Sequence, residues 1–482
     1  MIDLRPVGYV IGLLVTFLGV SMAVPIAADL YYGTGNAGAF VQAGIVTVLV
    51  GLAMTLSTAN GVGERLTLQQ TFLIASGVWI ALPLFGALPM MTGAPRLDFT
   101  NAFFEAMSGM TTTGSTVIGG LDIMPAGLLL WRSMLQWFGG IGIIVVAMVF
   151  LPELRIGGMQ IFRSEAFETG GKVLPRAASI AARISVVYVL LTVVAAVTYW
   201  GLGMPGFDAV NHALTSLATG GFSTRDASFG AFQGPLEYAA SIFMILAALP
   251  FVRYVQLLAG DSRPIFADSQ IRAFLWVVAA VTLMLVAYLA AATGEITEAS
   301  LREALFNAVS IITGTGYASV DYQLWGAFPM VLIFCAGLIG GCAGSTTCSV
   351  KMFRYQILLA SIRTQIKAIH SPHGVFTPRY EGRAIGEDVI SSVMAFLVIF
   401  IVTLGVVAVL LSATGLDFVT SLSGAAAAIA NIGPGLGPII GPAGNFAPLS
   451  DTAKWILIVA MLLGRLELMV VYAILTVRFW QA

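Results

Sequence analysis

Four short clusters of small and neutral polar residues are where this sequence could do chemistry. They read Thr111-Thr112-Thr113-Gly114-Ser115, Thr219-Gly220-Gly221-Phe222, Thr313-Gly314-Thr315-Gly316-Tyr317 and Asn431-Ile432-Gly433-Pro434. No carboxylate lies within them, so what they offer is backbone carbonyl oxygen. Glycine permits positive φ, which lets successive carbonyls turn toward a common axis. Four such strands around one axis would make rings of oxygen that replace the water shell of a monovalent cation. A divalent ion would call for a ring of Asp or Glu instead. The alternative is that each cluster is only a Gly-rich turn joining short helices, with no ion to hold.

The clusters end four copies of one unit. Aligned without gaps on Gly114, Gly221, Gly316 and Gly433, each has an alanine eight residues earlier: Ala106, Ala213, Ala308 and Ala425. Twelve earlier stand Ala102, Ala209, Ala304 and Ser421, and six earlier Ser108, Thr215, Ser310 and Ala427. Self-similarity at a period of about a hundred residues marks a repeat architecture. The segments before the glycines, 99–113, 207–219, 301–314 and 418–431, are too short to cross a hydrocarbon core about 30 Å thick. They read as re-entrant half-helices whose negative C-terminal ends point at the clusters, a favourable field for a cation.

The elements that hold these segments are membrane spans. Of 482 residues 58% are hydrophobic and 10% charged, where soluble domains carry about 25% charged residues. Apolar spans are predicted at 8–30, 40–57, 68–91, 125–151, 180–201, 236–258, 272–292, 327–350, 388–412 and 451–480. The first reads as a retained transmembrane helix, because the apolar run is too long for a signal-peptide core. The fold expected is therefore an all-α integral membrane protein with four membrane–pore–membrane repeats in a pseudo-fourfold arrangement, plus an extra N-terminal helix pair. Its divisions are 1–60 for the helix pair, then 61–160, 161–262, 263–370 and 371–482 for repeats one to four. The net charge of −1 excludes a strongly basic nucleic-acid surface. No Walker A pattern, zinc-protease motif or paired intramembrane aspartates suggest an enzyme. Cys335, Cys342 and Cys348 fall in one apolar stretch and read as buried thiols.

Connections between repeats all lie on one side, and basic residues collect there: Arg5, Arg65, Arg155, Arg163, Lys172, Arg176, Arg183, Arg253, Arg263, Arg272, Lys351, Arg354, Arg363, Lys367, Arg379, Arg383 and Arg478. The other side receives Arg96, Arg132, Arg225, Arg302 and Lys454. The positive-inside rule makes the connector side cytoplasmic and points the re-entrant segments outward. The connector 351–387 then reads as a cytosolic surface for a partner.

Two further features lie along the path. Span 327–350 holds Gly337, Gly340, Gly341 and Gly344, followed by Ser345, Thr346 and Thr347. Each glycine weakens a helix by about 1 kcal/mol against alanine, so the segment could unwind beside a pore; close small-residue packing is the alternative. Arg465 stands near the middle of the last predicted span, where a lone cation costs about 2.5–3.5 kcal/mol and should face protein or water. Glu467, two residues on, points to another helix face and is a poor partner. An ion pair between Arg465 and an acid on a neighbouring helix stays open. His212 reads as a neutral packing residue, His370 and His373 as solvated.

Four such repeats in one chain, each with one key filter glycine, resemble the Trk/Ktr/HKT superfamily of potassium transporters. The extra helix pair and the length resemble its bacterial TrkH-like branch, over essentially the whole chain. The resemblance implies a potassium filter at Thr112, Thr113 and Gly114, at Thr219, Gly220 and Gly221, at Gly314, Thr315 and Gly316, and at Asn431, Ile432 and Gly433. It implies that the second helix of the third repeat breaks into a gating loop, and that Arg465 projects into the path as an electrostatic barrier. Glycine at 114, where serine is associated with sodium permeability in the superfamily, favours potassium; Pro434 makes the fourth cluster the least channel-like. K⁺ is the expected cargo, with no organic cofactor. A homodimer, a cytosolic nucleotide-binding regulator of the TrkA type and residence in the cytoplasmic membrane of a bacterium are likewise implied. A symporter coupled to H⁺ or Na⁺, working by alternating access, is the second reading, although its usual inverted repeats and intramembrane carboxylates are not apparent.

Overall fold

The computed structural model describes residues 2–61, 66–146, 158–159 and 173–481, with the backbone alone for 173–180. Arg65, Arg155, Arg163, Lys172 and the side chain of Arg176 lie outside the described residues. Helices α1 (Arg5–Ser21) and α2 (Ala23–Tyr32) run on from one another, and α3 (Ala37–Thr58) returns beside them. Their backbones approach so closely that a Cβ on Gly12 would lie 2.8 Å from the amide of Thr55, the packing small residues permit in a membrane.

Four helical units follow. The first has α4 (Leu68–Gly86) extended by α5 (Leu88–Thr92), the short α6 (Phe99–Met110) and α7 (Ala126–Val145). The second has α8 (Val173–Gly201), α9 (Gly206–Leu217), then α10 (Pro235–Ala247) and α11 (Phe251–Leu258). A linking α12 (Arg263–Ala267) leads to the third: α13 (Ser269–Thr293), α14 (Glu298–Ile312), α15 (Ala327–Gly337) and α16 (Met352–His370). A two-residue hairpin, β1 (Arg379–Tyr380) on β2 (Arg383–Ala384), precedes the fourth. That unit comprises α17 (Glu387–Ser412), α18 (Phe418–Ala430), α19 (Asp451–Arg465), α20 (Met469–Ile474) and α21 (Val477–Gln481).

The short helices α6, α9, α14 and α18 have 12, 12, 15 and 13 residues. At 1.5 Å per residue they reach about 18–23 Å, less than a membrane core. Polar side chains start two of them: Thr297 caps α14 and Asp417 caps α18, each accepting from an amide of the first turn.

Among the described residues seven helices are long and apolar enough to cross a membrane. Three of the ten predicted spans are interrupted. Span 236–258 turns by 90° between α10 and α11, because Pro250 has no amide to continue the ladder. Span 327–350 stops being helical after Gly337. Span 451–480 breaks after Arg465, where Glu467 and Leu468 adopt φ of 56° and 49°. Arg465 is thus the last residue of α19, at a break and not in the middle of a continuous helix.

Burial is inverted relative to a water-soluble domain. Along α17 the exposed residues include Val398, Ile401, Val402, Val406 and Val409, while the centre of the molecule buries Glu105, Arg132, Gln136, His212 and the threonines of the clusters. Lipid is the outer solvent, and the polar groups line the interior.

Candidate functional site

Each short helix ends in the same way. In the first unit Thr112 N–H donates to Gly109 O (3.0 Å) and Thr113 N–H to Ser108 O (2.9 Å). The second repeats this with Thr219 to Ser216 O (3.1 Å) and Gly220 to Thr215 O (2.9 Å). The third has Gly314 to Ile311 O (3.1 Å) and Thr315 to Ser310 O (2.8 Å), the fourth Asn431 to Ala428 O (3.3 Å) and Ile432 to Ala427 O (2.9 Å). This pair of bonds is the Schellman cap, which needs a left-handed residue just past the helix. Here that residue is Thr112, Thr219, Gly314 and Asn431, with φ of 52°, 49°, 71° and 52°. A β-branched threonine in this region is unusual and strained.

Two residues later the backbone is left-handed again, at Gly114 (φ 84°), Gly221 (75°), Gly316 (83°) and Gly433 (106°). Glycine reaches positive φ without steric cost, so at these positions the backbone can alternate left-handed with ordinary residues. The four strands then meet in a closed cycle. A Cβ on Gly114 would strike Gly220 O, one on Gly221 Thr315 O, and one on Gly316 Ile432 O; one on Gly433 would lie 2.9 Å from Thr113 O. Each glycine therefore abuts the next strand's carbonyl, and the fourth closes on the first. Ser115 Oγ reinforces that closure by donating to Gly433 O (2.8 Å).

The descending strand beyond each of the first three glycines is held by a side chain nine residues before it. Glu105 accepts from Val117 N (2.8 Å) and Thr116 Oγ1 (2.9 Å) and pairs with Arg132 (2.8 Å), both side chains fully buried. His212 uses one ring nitrogen on Asp208 O (2.8 Å) and the other on Ser223 Oγ (3.0 Å), as its reading as a packing residue requires. Asn307 donates to Ser319 Oγ (3.0 Å). Arg132 also donates to Ser223 O (3.0 Å) and lies over Phe222, so it ties the first unit to the second and is no surface charge. From the sequence, neither Glu105 nor Gln136 is singled out, and Arg132 reads only as an outer-side charge. The column nine before the glycine, polar in three of four copies, was the available signal for the first.

Below the ring, residues 338–351 form an irregular loop, with left-handed Gly340 (φ 77°), Gly344 (74°), Ser349 (64°) and Lys351 (72°). The second unit supplies many of its backbone partners. Cys342 N–H donates to Ala248 O (3.0 Å), Thr346 Oγ1 to Ala247 O (3.0 Å), and Phe251 N–H to Gly344 O (2.9 Å). Those partners are open to the loop because the bend at Pro250 interrupts the helix. Gly341 faces Ala248 O and Thr347, and Ser345 Oγ lies 2.6 Å from Cys342 O and 2.7 Å from Thr347 Oγ1. Ser349 Oγ reaches Gly337 O (2.8 Å) and Ala430 O (3.3 Å).

Arg465 fastens this loop. Its guanidinium donates to Cys348 Sγ (2.7 Å) and Thr346 O (3.5 Å), and across to Gly139 O of α7 (2.8 Å). It is 1% exposed and among the described residues pairs with no carboxylate, which removes the neighbouring-acid alternative. Glu467 lies past the end of the helix in a left-handed conformation and pairs with Lys351 (3.1 Å) and Arg354. Arg354 also stacks on Phe396.

Comparison with known proteins bears on the chain as a whole. A family model described as TrkH, cation transport protein, matches residues 37–479. The Trk system potassium uptake protein TrkI of Halomonas elongata is 42% identical, covering 99% of this chain and 97% of its own. The Trk system potassium uptake protein TrkH of Salmonella typhimurium is 36% identical over 99% of each. The crystal structure of the potassium transporter TrkH from Vibrio parahaemolyticus superposes with a TM-score of 0.91 at 33% identity, covering 99% of this chain and all of that one.

Proposed function

Since this chain belongs to the TrkH family of cation transport proteins, we propose that it takes potassium into the cell through a gated, channel-like pore. The observation that carries the reading is the closed cycle of four left-handed glycine strands. Rings of carbonyl oxygen replace the water of a desolvated monovalent cation. The positions assigned to the filter are Thr112–Gly114, Thr219–Gly221, Gly314–Gly316 and Asn431–Gly433. The C-terminal ends of α6, α9, α14 and α18 add a favourable field for the ion.

The loop 338–351, with Gly340, Gly341, Gly344, Ser345, Thr346 and Thr347, is the gate of this reading, and Gly337 its upper hinge. Supporting it are the bonds that hold the loop to the second unit, to Ala430 and, through Arg465, to α7. Arg465 doubles as an electrostatic barrier, since a buried cation repels the permeating one. Opening would then displace the loop from Ala247, Ala248 and Arg465. We assign the connector side to the cytoplasm of a bacterial inner membrane on its basic residues. A homodimer and a cytosolic nucleotide-binding regulator of the TrkA type complete the proposal.

The test is rubidium uptake into proteoliposomes driven by an imposed potential, with K⁺, Na⁺ and Li⁺ as competitors. Uptake blocked by K⁺ in preference to Na⁺, with that preference relaxed by Gly114→Ser and flux raised by Arg465→Ala, is the expected result. Uptake that requires a Na⁺ or H⁺ gradient and ignores Gly114→Ser would replace the pore with a coupled symporter.

A further inference from the structure

The apparent fourfold ring is braced with twofold alternation. In the first and third units the strand braces itself: Thr113 Oγ1 lies 2.8 Å from Thr111 Oγ1, and Thr315 Oγ1 2.8 Å from Thr313 Oγ1. Thr111 and Thr313 pass their protons to Met107 O (2.7 Å) and Val309 O (2.8 Å). The second and fourth units have Ala218 and Gly220, and Ala430 and Ile432, at those places, with no hydroxyl. An amide side chain stands in. Gln136, from the first unit, donates to Gly220 O (2.6 Å) and accepts from Phe222 N (3.0 Å).

For the fourth strand we propose that Asn431 is the positioning residue: its amide ties that strand to the first strand and to α19, and so sets the K⁺ over Na⁺ preference. The inference rests on the filter reading and goes beyond it, because that reading uses only the backbone of Asn431. Nδ2 of Asn431 donates to Thr113 Oγ1 (2.8 Å) and to Met461 O (3.1 Å), with the residue 1% exposed. The proton order then runs from Asn431 through Thr113 and Thr111 to Met107 O, a chain whose members polarise one another. Gly464 admits both the Ile429 carbonyl, which a Cβ there would strike, and the Asn431 amide, whose Oδ1 would lie 2.8 Å from it. Met461 lies one helical turn before Arg465 on α19. One side chain thus registers the fourth strand both to its neighbour in the ring and to the helix that ends on the loop's clamp. Ring size and the number of carbonyls that reach the ion both change when one strand slips, so loosening the fourth strand alters the balance between the larger and the smaller ion.

The experiment reads the ratio of K⁺ to Na⁺ inhibition constants for rubidium uptake by the full-length protein in proteoliposomes. Asn431→Gly keeps the left-handed backbone and removes the brace; Asn431→Asp keeps the shape and removes the donors. Thr113→Val removes the acceptor from the other end at constant volume. Each single variant is expected to shift the ratio toward Na⁺ by about three- to tenfold, the worth of one buried hydrogen bond. The Asn431→Gly/Thr113→Val double variant should shift it no further than the larger single, as a shared interaction requires. Gly114→Ser is run beside them. An unchanged ratio in Asn431→Gly and Thr113→Val, while Gly114→Ser shifts it, overturns the brace alone. An unchanged ratio in all three overturns the filter reading as well. Should Asn431→Gly fail to fold, Thr113→Val and Asn431→Asp decide the matter by the same ratio.

Discussion

The four left-handed glycine strands and the helices that follow them in the same four helical units have diverged to opposite degrees. The strands keep one cap and one pair of left-handed residues in all four copies, and only their side-chain braces alternate. The second helices share almost nothing. That of the first copy runs unbroken to Val145, the second bends by 90°, the third dissolves into a loop after Gly337, and the fourth breaks after Arg465. In the filter reading proposed above, a ring of ligands must be alike on every side, because one ion would touch all four strands at once. In the same reading a gating plug need be made only once, and its three neighbours would differ in order to receive it. The bend at Pro250 leaves Ala247 and Ala248 carbonyls for the loop, α7 offers Gly139 O, and α19 sends Arg465.

That contrast can be broken from either side. The largest effect is expected in the singular region. Glu467→Gln removes the carboxylate that pairs with buried Lys351 and Arg354, and breaking a buried pair costs about 3–5 kcal/mol. Thermal unfolding in detergent should show it as a clear drop in midpoint, and an unshifted midpoint would mean that the pair carries no load. Next comes the shared region. Gly316→Ala places a methyl against Ile432 O at φ 83°, and left-handed strain plus overpacking is worth about 2–4 kcal/mol. Rubidium uptake should fall by about a hundredfold or more; near-parental uptake would show that the strands do not form a tight ring. Arg465→Gln loosens the clamp while keeping one donor. Losing charge-assisted bonds of about 1.5–3 kcal/mol should raise basal flux about tenfold, measured without any partner protein. A fall in flux would make Arg465 a strut of the open path. Smallest is Ser349→Ala, which removes the tie from the loop to Ala430 at about 1 kcal/mol. It should raise basal flux severalfold and leave the K⁺/Na⁺ ratio where it was, and a changed ratio would mean that loop and filter move together.

Much of the ring is legible in the order of residues alone. The glycine columns mark the four strands, the Ala and Ser columns the short helices leading to them, and the alignment puts Ser108, Thr215, Ser310 and Ala427 where the caps find their acceptors. These are local features, set within a dozen residues by backbone freedom and helix termination. Glu105 with Arg132, and Gln136 with Gly220, are not legible in this way because each pair joins residues far apart in the chain. No periodicity marks a partner that arrives from a distant segment or another repeat.

The sequence by itself determined that lipid is the solvent, that four half-helices end in oxygen-rich strands, and that no carboxylate stands among them. Those follow from composition and from conformational preferences that each residue carries with it. Only the tertiary structure decided that Arg465 ends a helix and grips a loop, that Glu467 answers Lys351 and Arg354, and that Asn431 reaches Thr113. Buried charges and amides must find partners wherever packing brings them, and which groups arrive is settled by the assembly of the repeats.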